Sequence, residues 1–410
     1  ALGLKGAAEG FLRGGLWNHF LVKYPEINLM HKKALYISEK LSLKEKRPGI
    51  CMTKWFEEAR RELYKAQGND VYWHGLFGGY YLNYLRHAVH EHLIKAERLI
   101  DAKTDPRIRL TETDLDRDGY QEFIAETPCL NLYLKPDDGA TVIEIDYRPK
   151  ALCLTHVPMR RPEAYHKKIK IDQPAASSPS PGSIPSIHEL TSLKPSVVGK
   201  RLIYDRCPRW SFRDHLLTQD ITLDQFEASI HAELGGFSHN PYEKMEARTG
   251  TDGIVLAFQH TDMIGDLSLT AKKVYTVSAS DAVFTVQYAF SNGPEQVQSP
   301  DQNGHGLLWG VELNLTLLAG SDPKRYYSFS GRDVEGKLLN SRGVLEDLTE
   351  AHLIDEWQGV DICLEFKPAA RFWRFPIETI SQSEEGLESN YQGSCLVILW
   401  PLTLPLKGKQ

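Results

Sequence analysis

The sequence has 410 residues, enough for two or three domains with a sizeable core. Apolar residues make up 41% and charged residues 25%, ordinary values for a soluble globular chain, and the formal charge of -6 provides no basic footprint for nucleic acid or an anionic membrane. The longest apolar run, "CLVILWPLTLPL" at residues 395–406, is too short to span a bilayer and is broken by Pro401 and Pro405, so a buried strand is expected there.

Residues 1 to about 100 read as helical. In "YPEINLMHKKALYISEKLS", Pro25 sits where a first turn tolerates it, and Met30, Ala34, Ile37 and Leu41 recur at helical spacing. "CMTKWFEEARRELYK" repeats the pattern through Met52, Trp55, Phe56, Ala59 and Leu63. A third helix, "YLNYLRHAVHEHLIKAERLI", has Leu82, Leu85, Val89, Leu93, Ala96 and Leu99 on one stripe. Within it "HAVHEH" places His87 with His90 or Glu91 on one face at metal-ligand spacing, but no fourth ligand is evident and the reading favoured is a partly exposed histidine-rich face.

Between the second and third helices lies "QGNDVYWHGLFGGYYLNYL", residues 67–85. The rings of Tyr72, Trp73, His74 and Phe77 crowd beside Asp70 and are followed by Gly78 and Gly79, which allow a sharp turn or a close backbone approach. Flat aromatic faces beside hydrogen-bonding groups suit a sugar, whose rings present apolar C–H faces and whose edges carry hydroxyls. The alternative is a packed bundle corner capped by Asp70, and composition alone favours it.

From about residue 105 the hydrophobic period changes to 2. The acidic stretch "DLDRDGYQE" offers Asp114, Asp116 and Asp118 to a hard cation such as calcium, although Ala125 stands where an EF-hand loop needs Glu. A solvated acidic turn is the competing reading. "TVIEIDYRP", "GIVLAFQH", "KKVYTVSAS", "AVFTVQYAF" and "WGVELNLTLLAG" are short strands bounded by turn residues, with few helices between them, which favours antiparallel pairing. Residues 172–186, "DQPAASSPSPGSIPS", are expected to form a mobile Ser/Pro-rich loop. The fold class expected is α+β: a three-helix bundle over residues 1–103, then a large antiparallel β-sandwich over residues 104–410.

Six cysteines without CxxC spacing argue against a zinc ribbon or a disulfide scaffold and fit a reducing, cytoplasmic setting. No nucleophile elbow, P-loop, HExxH or dinucleotide fingerprint is present.

The motifs also carry a resemblance. "NDVYWHGLFGG" resembles the fifth conserved region of glycoside hydrolase family 57, in its 4-α-glucanotransferase and α-amylase branch. "VKYPEINLMHKKALYIS" is similar to that branch's first bundle helix, and "RRPEAYHKK", "YDRCPRWSFRDHLL", "GVELNLTLLAG" and "WRFPIETISQSEEGLESNYQG" resemble its C-terminal sandwich. The Ser/Pro segment has no clear counterpart. The resemblance implies an N-terminal (β/α) barrel bearing a Glu nucleophile and an Asp acid/base, with the bundle closing one side of a glucan cleft. Carried over by residue, the bundle's share is Asp70, Trp73 and His74, with Tyr72 and Asn69 beside them. The preference for a packed corner is thereby reversed.

About two dozen residues precede the first bundle helix, whereas a barrel needs on the order of 200. The chain, which starts at "ALGLKGAAEG" without an initiator Met, is therefore expected to be the C-terminal part of a retaining 4-α-glucanotransferase, inactive alone. An α-amylase, or a non-catalytic protein binding α-glucan or a partner, are the alternatives. The implied partner is an α-1,4-glucan or maltooligosaccharide, with homodimerisation expected from the family. No cofactor is required, and a structural calcium at the acidic loop is the one candidate.

Overall fold

The computed structural model describes residues 16–46, 49–75, 78–103, 108–168, 202–292, 306–383 and 386–402. The Ser/Pro segment 172–186 and Phe77 lie outside them.

Four helices come first: α1 (Trp17–Lys23), α2 (Pro25–Glu45), α3 (Lys54–Lys65) and α4 (Asn83–Asp101). The last three are those expected from periodicity. α1 is an addition, and its break from α2 falls at Tyr24, which Pro25 pushes out of helical geometry to φ -121° and ψ 79°. The stripe Met30, Ala34, Ile37 and Leu41 packs with Phe56, Ala59 and Leu63 of α3 and Val89, Leu93 and Ala96 of α4 in one apolar cluster. Between α3 and α4 a small hairpin pairs β1 (His74–Gly75) with β2 (Gly78–Gly79).

The period-2 region forms three antiparallel sheets. The first is β3 (Arg109–Thr113), β4 (Glu122–Glu126), β5 (Leu130–Lys135), β6 (Thr141–Tyr147) and β7 (Leu152–Cys153), in that order. Next along the chain come β8 (Arg213–Thr218) and a short helix, α5 (Leu223–Glu227). A four-stranded sheet joins β9 (Glu243–Thr249), β10 (Gly253–Ile264), β11 (Leu267–Ser278) and β12 (Phe284–Asn292), with the charged, fully exposed β9 on its edge. The remaining strands are β13 (Leu307–Leu315), β14 (Arg325–Ser328), β15 (Gly343–Asp355), β16 (Val360–Ser383) and β17 (Gly386–Leu402). They make a six-stranded sheet in the order β14-β15-β16-β17-β13-β8. The expected buried strand near the C-terminus is the second half of β17, where Cys395 to Leu399 are buried. Side chains from all three sheets share one core, and α5 covers the outer face of the six-stranded sheet through Leu223 and Phe226. Among the described residues no helix is long and apolar enough to cross a membrane, and all six cysteines are free thiols.

Every residue of β4 and β5 is buried, because this first sheet is covered on both faces. Leu130, Leu132, Leu134, Val142 and Ile145 face the sandwich core, while Ile124, Tyr133 and Ile143 meet Leu29 and Tyr36 of α2. A register shift leaves Ile143 without a strand partner on β5, which turns both Ile143 and Glu144 toward the helices.

Much of the contact between helices and sheet is charged. On α2, Glu26, Leu29, Lys33, Tyr36 and Lys40 follow helical spacing along one face. Lys33 pairs with Glu144 and, at 2.6 Å, with Asp146. Lys40 meets Glu97 at 2.8 Å, Asp101 at 2.9 Å and Glu126 at 2.6 Å. Glu26 accepts two hydrogen bonds from Arg161, at 3.0 and 2.8 Å, and a third from the Met159 amide at 2.9 Å. Glu163, from the "RRPEAYHKK" motif, accepts from Lys23 at 2.6 Å, Tyr24 at 2.8 Å and Tyr81 at 3.0 Å. On α4, Arg86 reaches the His156 carbonyl at 3.3 Å and Gln392 at 2.6 Å.

Removing one partner of a buried pair leaves the other charge stranded. Arg161→Met is therefore expected to destabilise the chain by about 3–5 kcal/mol, read from urea denaturation. A second buried pair gives a pH signature. His215 lies between Glu233 at 2.6 Å and Glu312 at 3.0 Å. Burial alone would push its imidazole down, but the Glu233 charge and the hydrogen bonds to both carboxylates carry it up to about 9. Its stabilisation is complete below the unfolded value near 6.5 and is lost as pH rises through about 9. Thermal melts should show this alkaline decline in the wild type, and His215→Gln should flatten it.

Candidate functional site

The α3–α4 connection is stiffened at three points. A single 3₁₀ turn spans Asn69–Val71, and Val71 is buried in the bundle core. The Tyr72 hydroxyl donates to the Ala66 carbonyl at 3.3 Å. The Trp73 carbonyl accepts from the Tyr80 amide at 2.8 Å, across from Gly79, whose φ is +68°. A Cβ on Gly79 would lie 2.2 Å from that carbonyl oxygen. The close approach expected of the glycine pair is thus realised at Gly79, and it fixes where Trp73 stands.

Opposite this loop, α1 contributes Trp17 and α2 contributes His31, Ala34 and Leu35. Between them opens a cleft of about 430 Å³, lined by Trp17, His31, Gln67, Asn69, Tyr72 and Trp73 over a floor of Ala34 and Leu35. The rings meet edge to face: Trp17 to His31 at 5.6 Å, Trp17 to Tyr72 at 6.1 Å and His31 to Tyr72 at 6.3 Å. Among the described residues no Asp, Glu, Lys or Arg lines it. Burial, then the nearby Lys32 and Arg117, pushes the His31 imidazole down, so it is neutral at pH 7. Burial raises the Tyr72 phenol, which stays protonated. The cleft therefore suits an uncharged ligand with apolar faces and hydroxyl edges. The amides of Gln67 and Asn69 can donate and accept along those edges.

Of the residues singled out in the sequence, Asn69, Tyr72 and Trp73 come together in this cleft. Asp70 is exposed beside it and is not one of its lining residues. His74 turns toward the sandwich: its Nε2 lies 3.1 Å from the Tyr165 hydroxyl, and its ring packs edge-on against Tyr81 at 4.7 Å. Trp17, His31 and Gln67 escaped the sequence reading. The spacing of His31, Ala34 and Leu35 was the available signal, a short stripe flanking the core stripe of the same helix.

The acidic loop is ordered by its own backbone. The Asp118 amide donates to Asp114 at 3.0 Å and Asp116 at 3.1 Å, and the Tyr120 amide donates to Asp118 at 2.9 Å. Oxygens of Asp114, Asp116 and Glu122 lie close enough together for a cation. The Lys135 ammonium already meets Asp116 at 2.9 Å, Asp118 at 2.7 Å and Glu122 at 2.8 Å. The histidines of "HAVHEH" are less exposed than expected: His90 is buried, and His92 sits 2.7 Å from Glu62.

A neutral aromatic cleft on a helical bundle, seated on an antiparallel sandwich, can accommodate an amphipathic, uncharged ligand. The chain belongs to the alpha-amylase/4-alpha-glucanotransferase family: the sequence model of its C-terminal domain matches residues 114–410 and that of its middle domain residues 15–100. It is 34% identical over 402 residues to "Alpha-amylase 1" of Dictyoglomus thermophilum, covering 97% of this chain and 53% of that protein. It is 30% identical over 398 residues to a 4-alpha-glucanotransferase of Thermococcus litoralis, covering 97% and 52%. The crystal structure of a 4-alpha-glucanotransferase from Thermococcus litoralis superposes with a TM-score of 0.70 at 29% identity, over 96% of this chain and 52% of that one. The chain thus spans about half the length of the curated relatives it matches.

Gly79→Ala tests the geometry of the cleft wall. It should cost more than the roughly 1–2 kcal/mol that a left-handed φ imposes on a side chain, because the Trp73 carbonyl must also move. A shift in Trp fluorescence should accompany the loss of stability.

Proposed function

We propose that this chain forms one wall of an α-1,4-glucan cleft in a retaining 4-α-glucanotransferase. The observation that carries the reading is the cleft itself: aromatic faces and amides, with no charged side chain among the described lining residues, suited to a chain of glucosyl units. Trp17 and Trp73 stack on sugar faces, while Gln67, Asn69 and His31 bond hydroxyls. A retaining enzyme needs two carboxyl groups roughly 5 Å apart about the scissile bond, and among the described residues none lines this cleft. On this reading the nucleophile and the acid/base are supplied by a part of the enzyme outside this chain. The bundle's part is to orient the acceptor glucan and keep water away, so that transfer competes with hydrolysis. The relatives' names include alpha-amylases as well, and in that case the same wall would serve with water as acceptor.

In the enzyme joined to its barrel, Trp73→Ala should lower kcat/KM for maltotriose disproportionation about 10- to 100-fold, the loss of one buried aromatic face. The melting temperature should change little, because Trp73 is only half-buried. Wild-type activity in both Trp73→Ala and Trp17→Ala would overturn the cleft assignment. Maltotriose converted to glucose and longer glucans, rather than only shorter ones, separates transfer from hydrolysis.

A further inference from the structure

The second buried face of α4 holds His90, which is 5% exposed. Around it stand Glu144 and Asp146 from β6 and Cys153 from β7, with one donor atom of each of the four within 4.8 Å of the others. The carboxylates divide their oxygens. Glu144 Oε1 and Asp146 Oδ2 receive the Lys33 ammonium, while Glu144 Oε2 lies 3.7 Å from His90 Nδ1. Asp146 Oδ1 and His90 Nδ1 are buried and have no hydrogen-bond partner. Buried polar atoms are almost always paired, so a His90 Nδ1 that faces Glu144 Oε2 without bonding it, beside a second unpartnered atom on Asp146, marks a missing partner.

We propose that His90, Glu144, Asp146 and Cys153 form a structural site for a zinc-class divalent cation, tying α4 to the sheet. Tetrahedral donors bound at about 2.0–2.3 Å stand roughly 3.3–3.7 Å apart, so modest contraction closes the site. The mixed nitrogen, sulfur and oxygen set selects a borderline-soft ion over calcium or magnesium. Charge balances when the Cys153 thiol releases its proton to solvent on binding. The ion and Lys33 then supply three positive charges against the three negative charges of Glu144, Asp146 and the thiolate. Lys33 keeps the outer oxygens and orients both carboxylates, and His156, stacked on His90 at 5.4 Å and 19°, fixes the plane of the imidazole. Four protein ligands in the interior leave no open position, so the ion holds structure and takes no part in turnover.

The test uses the purified chain loaded with zinc and dialysed against metal-free buffer. About one zinc per chain is expected by elemental analysis, and chelator should lower the melting temperature. Cobalt(II) in its place should give a near-ultraviolet thiolate-to-cobalt band. Cys153→Ser should abolish that band and weaken zinc at least about 100-fold, the upper end of what even an outer-sphere loss costs. His90→Gln should weaken zinc comparably while leaving the band. A folded wild-type chain that retains no zinc overturns the proposal, whatever the variants do. So does binding unmoved by both substitutions, which would place the metal elsewhere, as at Glu350, His352 and Cys363.

Discussion

The structure depends on the pairing of charges buried between the helices and the sheet β3–β7. Lys33, Lys40 and Arg161 all give up most of their hydration at this seam, and each is repaid by carboxylates supplied from elsewhere in the chain. Hydrophobic contact alone would let the bundle slide on the sheet. Bidentate and multiply shared ion pairs do not, because a small shift strands a charge in a low-dielectric interior. Glu163 shows the logic in miniature, with one carboxylate gathering a lysine and two tyrosines from three points of the bundle.

The cleft inherits this rigidity through α2, which uses three faces at once. Met30, Ala34, Ile37 and Leu41 hold the bundle together, Glu26, Lys33 and Lys40 lock it to the sheet, and His31 and Leu35 line the cleft. Fixing α2 against the sheet therefore fixes one side of the cleft, and Gly79 fixes the other through Trp73. The cleft needs no rearrangement of its own to take shape, which would reduce the ordering cost of the glucan binding proposed above.

Elements with one buried face were legible in the sequence. The three long helices and the strands β10 to β12 follow their periods, β6 and β13 show as short runs between turn residues although buried on both faces, and the α+β class and family follow from the motifs. The first sheet was harder to read, because strands buried on both faces lose alternation. On α4 the apolar stripe is buried as expected, but a second buried face escapes it. Arg86, His90, Glu97 and Asp101 follow helical spacing, which ordinarily marks a solvent face, yet all are buried against partners more than thirty positions away or on another element. Periodicity reports burial only where burial is apolar. The same limit hid His31, a polar residue that lines the cleft, while His74, expected at the glucan from the resemblance, contacts Tyr165 and Tyr81. Trp17 lies outside every quoted motif, and only the fold brings it to Trp73.

The double covering of β3–β7 also bears on how the molecule comes apart. A sheet that is the wall of one core and the floor of another cannot be released from either without exposing both. Freed helices would carry Lys33, Lys40 and Arg86 into water with no loss, but the sheet would keep Ile124, Tyr133 and Ile143 bare. The two family segments are separable as text, near residue 100, yet they are coupled in unfolding. Heat or denaturant should meet a single cooperative transition, and a cut at the sequence boundary would yield helices that survive poorly and a sandwich prone to self-association.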